Sequence, residues 1–143
     1  MPIKSFRGSL TDGEIDTIRI STNNGLIGYR VHKFELFPSQ PGAQPQESTV
    51  KIFTVPQTTA TATVDFDKEQ LLVAAYMGIN DTAYYGPDIV TIFDNVIVNQ
   101  DLTITHVETR GSIAVNYHLE LEQIKLANDE AAVATLTDMR GRE

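Results

Sequence analysis

At 143 residues, with 41% hydrophobic and 21% charged residues, the chain has the size and composition of one globular domain, and no stretch approaches the ~18 consecutive apolar residues of a membrane-spanning helix. The absence of cysteine excludes a disulfide framework, a thiolate nucleophile and a cysteine-ligated zinc. Nineteen acidic against eleven basic residues give a net charge of −8, which repels nucleic acid phosphates and anionic membranes, and the scattered basic residues form no cluster to offset it.

The opening MPIKSFRGSL lacks the apolar core and small-residue cleavage site of an export signal. Residues 1–14 are expected to lie at the periphery of the domain, with Phe6 as a candidate contact residue. Strand patterning begins at Asp16 to Ser21, where Ile18 and Ile20 alternate with Thr17 and Arg19. Asn23-Asn24-Gly25 supplies residues that tolerate positive φ, so a β-hairpin is expected between DTIRI and LIGYRVHKFELF. On the return strand Tyr29 and Val31 share one parity, whereas Phe34 and Leu36 share the other. If all four face the core, the pleat slips by one residue near His32-Lys33, the sign of a β-bulge.

PSQPGAQPQ, from Pro38 to Gln46, holds three prolines and a glycine and reads as an exposed loop within one domain. STVKIFTVP resumes the sheet, and Pro56 ends it. QTTATATVDF, rich in Thr and Ala, suits an edge or narrow strand. LLVAAYM, from Leu71 to Met77, is a continuous apolar run that reads as a central strand covered on both faces, with a short helix as the competing reading. IVTIFDNVIVNQ and DLTITHVE follow, and then GSIAVNYHLELEQIKL, in which Ile113, Val115, Tyr117, Leu119 and Leu121 occupy every second position. That alternation marks a long strand with one buried face and one wet face carrying His118, Glu120 and Glu122. In the tail, Asn128 or Asp129 caps a short helix through Ala131, Ala132, Val133 and Leu136 before Gly141. Seven to nine strands with turn signals between them predict an all-β, antiparallel, jelly-roll-like sandwich of residues 1–143. Its short C-terminal helix lies in a peripheral segment, 127–143.

Chemical motifs are sparse. His32, His106 and His118 show no HxH or HExxH spacing, and the acidic stretches around Asp12, Glu14 and Asp16, and at Asp65 and Asp67, do not match a calcium loop. No G-x-S-x-G elbow and no glycine-rich phosphate loop is present. The expectation is a protein without enzymatic activity, cofactor or metal. Asn80-Asp81-Thr82 matches a glycosylation acceptor. Tyr76, Tyr84 and Tyr85, in or beside a loop flanked by Gly78, Gly86 and Pro87, are candidates for a contact surface, although aromatics also cap the open ends of sandwiches. Val133, Leu136 and Met139, at i, i+3 and i+6, would line one narrow apolar stripe of the tail helix, suited to docking on a neighbour.

The segment from Ile92 to Glu143 resembles small virion proteins of tailed bacteriophages of marine bacteria, through Asn116-Tyr117 and the following HLELEQIKL, and through the NDEAAVATLTDMR tail. The resemblance implies a structural component of the particle that decorates or cements a capsid. Its partners would be the major capsid protein or other virion proteins, and copies of itself in a homo-oligomer, with no nucleic acid or membrane bound. It would be made in the host cytoplasm and located in the virion. The alternative is a carbohydrate-binding or tail-associated sandwich module of a particle.

Overall fold

The structure, a computed structural model, describes residues 2–21, 26–40, 45–79, 88–110 and 112–126. Eight strands organise them: β1 (Ile3–Leu10), β2 (Ile15–Ile18), β3 (Ile27–Pro38), β4 (Gln46–Phe53), β5 (Leu71–Ile79), β6 (Asp88–Phe93), β7 (Leu102–Glu108) and β8 (Val115–Lys125). They form two antiparallel sheets, one of three strands in the order β1-β8-β3 and one of five in the order β2-β7-β4-β5-β6. The sheets enclose a single large core. The smaller sheet contributes Leu10, Phe34, Leu36, Leu119 and Leu121, and the larger contributes Val50, Ile52, Val73, Met77 and Ile104. This is the all-β sandwich that the alternation predicts.

The longest alternation is realised on β8, where Val115, Tyr117, Leu119 and Leu121 are buried. Its other face is laid out by register. Arg7, His118 and Glu35 stand in one row across β1, β8 and β3, and Ser5, Glu120 and Lys33 in the next. Arg30 Nη2 meets Glu122 Oε2 at 3.0 Å along the same face. The histidine and carboxylates of this strand therefore form a solvated, charge-alternating surface. The expected bulge on β3 is present as a register shift between Val31 and Lys33. It lets Val31 and Phe34 both face the core.

Three expectations need correction. Residues 3–10 are not peripheral: they pair with β8 along its length, and Leu10 is fully buried. The strand is hard to read from sequence because its residues, apart from Phe6, Gly8 and Leu10, are exposed on an edge, so apolar alternation is weak there. The DTIRI and LIGYRVHKFELF segments do not form a hairpin, since β2 pairs with β7 in one sheet and β3 with β8 in the other. The chain crosses between sheets here, a choice that local turn chemistry does not decide, and Asn23, Asn24 and Gly25 lie outside the described residues. QTTATATVDF forms no strand. β5, by contrast, is the interior strand expected of its apolar run, paired with β4 on one side and β6 on the other and covered on both faces from Leu71 to Ala75. The expected C-terminal helix, with all of 127–143, lies outside the described residues.

Candidate functional site

On the outer face of the larger sheet, register sets three rows across β4, β5 and β6. Glu47, Gly78 and Asp88 form the first, Thr49, Tyr76 and Val90 the second, and Lys51, Ala74 and Ile92 the third. The long connection 54–70 folds back over this face, its ends joined by Thr54 N donating to Gln70 O at 2.9 Å. Lys51, almost fully buried, fastens it by donating from Nζ to Thr61 Oγ1 at 3.0 Å and to Thr63 O at 2.6 Å. Burial, with Lys68 nearby, holds the Lys51 ammonium below its usual pKa.

Between this connection and the sheet lies an open groove of about 570 Å³, lined by Ala62, Val64, Phe66, Ala74, Val90 and Ile92, with Glu47, Thr49, Tyr76 and Thr109 towards one end. Its walls are largely aliphatic, and Phe66 is 65% exposed. Tyr76 leans over Gly78, where a methyl group would come within 2.6 Å of the Tyr76 hydroxyl oxygen. Burial, then the charges of Glu47 and Asp88, push the Tyr76 phenol above its usual pKa, with Arg110 opposing them. The groove thus has an apolar body and an acidic end at which Glu47 is partly met by Arg110 at 3.6 Å.

A second constellation lies inside, at one end of the sandwich. The inward parity of β4 and β7 that buries Val50, Ile52, Leu102 and Ile104 continues into Gln46, Ser48, His106 and Glu108, all buried. His106 Nε2 is 2.9 Å from Ser48 Oγ, and Nδ1 is 3.0 Å from Thr11 O. Taking Nδ1 as protonated lets it donate to the Thr11 carbonyl while Nε2 accepts from the Ser48 hydroxyl. Burial holds the imidazole below its usual pKa, against the opposing pull of Thr11, Leu10, Asp12 and Glu108. Glu108 accepts backbone N–H groups of Glu47 at 2.7 Å, Arg110 at 2.9 Å and Ser112, while its own N–H donates to Asp12 Oδ1. These contacts pin the β7–β8 connection and the Thr11–Glu14 turn to the end of the sheet.

The candidates from sequence are distributed differently. Phe6 is half-buried and packs against the core opposite Leu119, so it belongs to the fold rather than to a free surface. Tyr84, Tyr85, Val133, Leu136 and Met139, and the acceptor sequence at Asn80, lie outside the described residues. The acidic stretches serve turns: Glu14 Oε1 accepts from Thr11 N and Oγ1, and Asp65 Oδ1 accepts from Asp67 N. Among the described residues no group of three or more His, Asp or Glu side chains is placed to hold a metal ion. The groove escapes a sequence reading because Val64 and Phe66 fall in a segment that reads as an edge or narrow strand. IVTIF takes its place in the run of strands, but its apolar residues on both parities do not announce that it is an exposed edge. No family model, curated protein or solved structure matches this chain.

Proposed function

We propose that this chain is a non-enzymatic structural protein that attaches to a larger assembly through the outer face of its five-stranded sheet, as a protein that decorates or cements a phage capsid. The observation that carries the reading is the exposed apolar groove of Val64, Phe66, Val90 and Ile92, formed where a strand-rich domain ordinarily presents polar residues. The capsid version adds the resemblance of Ile92–Glu143 to virion proteins. Many copies binding only the assembled lattice would stabilise it by mass action, each through a modest interface. A carbohydrate module is less well supported, because most of the groove is apolar and its polar groups, Glu47, Thr49, Tyr76 and Thr109, gather towards one end. The test is immunogold labelling of purified particles with antibody to this chain. Regularly spaced label over the capsid supports the reading, label confined to the tail moves the attachment site there, and unlabelled particles overturn it.

A further inference from the structure

Among the described residues, three of the four sheet edges carry protection against strand addition, and one does not. β2 has four residues, one of them Asp16. β1 carries Lys4 and Arg7, and β3 carries its bulge, Arg30, Lys33 and Glu35, and a bridge from Tyr29 to Val98. Short length, charge and bulges are how proteins blunt exposed edges. β6 has none of these between Ile89 and Phe93, no strand pairs with its far side among the described residues, and Ile89, Val90, Ile92 and Phe93 are 45%, 55%, 50% and 38% exposed. Both faces of this strand are open along most of its length.

We propose that β6 is the self-association edge of the protein: a second copy pairs with it antiparallel about a two-fold axis at Thr91, joining the two larger sheets into one of ten strands. The register follows from two constraints. Asp94 N donates to Leu72 O, so the even-numbered residues of β6 bond β5, and the N–H and C=O groups of Ile89, Thr91 and Phe93 point away from the sheet. A two-fold perpendicular to the sheet keeps like faces together, so opposed residues share parity. Centring on Thr91 then pairs Ile89 with Phe93 of the other copy on one face and Val90 with Ile92 on the other. All three outward-pointing residues bond, and every large apolar side chain of the strand meets another. The contacting row is uncharged. Acidic groups enter only at its ends, where Asp88 comes opposite Asp94, so the edge suits a second copy best when salt screens them. Four half-exposed side chains and a strand amount to a few hundred Å² per copy, below the ~800 Å² of a standard interface, so association is expected in the micromolar range or weaker.

This inference is independent of the capsid reading and is tested on the purified full chain. Sedimentation velocity should show a monomer–dimer equilibrium that tightens several-fold between low and moderate salt. Thr91→Pro removes an outward N–H and leaves the β5 ladder intact, so it should abolish the dimer with the melting temperature little changed. Because the chain has no cysteine of its own, the thiol introduced by Thr91→Cys can oxidise only with the same position of another copy, and the paired backbones place the two Cα atoms about 5.5 Å apart, within disulfide reach. Cross-linking of Thr91→Cys on mild oxidation decides the register whether or not Thr91→Pro folds. A monomer at all concentrations, a dimer that survives Thr91→Pro, or failure of Thr91→Cys to cross-link would each overturn the proposal.

Discussion

Ser48 Oγ lies 2.9 Å from His106 Nε2, and both side chains are fully buried, on diagonal inward-facing positions of β4 and β7, where Ser48 stands opposite Glu108 and His106 opposite Val50. The distance is that of a nucleophile and its base, but no substrate reaches the pair, and a backbone carbonyl, Thr11 O, occupies the place where a triad has a carboxylate. The pair reads as a tie between the sheet and the turn that leads into β2.

That tie gives stability a pH dependence of known sign. Burial holds His106 below the ~6.5 of an unfolded histidine, so below that pH the unfolded chain binds a proton that the folded chain does not. Stability is therefore full above about pH 6.5 and falls as pH drops from there towards the folded value. Urea unfolding between pH 7.5 and 5.5 should show this loss in the wild type, and His106→Gln should show a flatter profile. A wild-type profile that is flat or rises on acidification would contradict the buried neutral imidazole.

A larger effect is expected at Glu108. Its buried carboxylate takes three part-buried backbone N–H groups, which water can partly re-pair when the side chain is removed. Glu108→Ala should lower stability by about 1–3 kcal/mol, with Glu108→Gln less damaging because it keeps one acceptor oxygen. Equal, small effects of both would show that the connection is held elsewhere.

Gly28 on β3 packs closely against Ile97 and Leu126. A methyl group there would approach Ile97 Cγ2 to 2.6 Å and Leu126 Cδ1 to 3.0 Å, and the β-branched Ile97 has little rotamer freedom to withdraw. Gly28→Ala is expected to cost about 1–3 kcal/mol, as overpacking does, and Ile97→Ala should recover most of it in the double variant. Additive losses would place the strain somewhere other than this contact.

On β8 the two faces should respond oppositely. Leu119→Asp puts a charge into the core between the sheets and is expected to unfold the domain, whereas His118→Ala and Glu120→Ala on the charged outer face should change stability by about 0.5 kcal/mol or less. Thermal melting of the three variants checks this.

The parity of side chains was legible wherever one face was buried: β8 read directly, and the Val31/Lys33 bulge on β3 followed from Tyr29 and Val31 against Phe34 and Leu36. Parity within β4 also carries Gln46 and Ser48 inward, so the buried polar end was visible in principle, although His106 and Glu108 have meaning only once β7 lies beside β4. Pairing over long sequence separations was not legible. Nothing local to Ile3–Leu10 announces that Lys4 will stand opposite Leu121, and the Asn-Asn-Gly turn does not reveal that its flanking strands enter different sheets. The groove was hidden for the same reason, since Phe66 and Ile92 meet only after the 54–70 connection folds over the sheet.

The central claim, attachment through the outer face of the larger sheet, is tested most directly by co-sedimentation with capsids that lack this chain. The comparison is between the wild type and the double variant Val64→Asp, Phe66→Asp, two exposed positions outside the core and outside the β6 edge. Attachment through the groove predicts saturable co-sedimentation of the wild type and loss of at least tenfold in affinity, about 1.4 kcal/mol, in a variant that melts as the wild type does. Equal co-sedimentation of the two proteins, or none of the wild type, would contradict it.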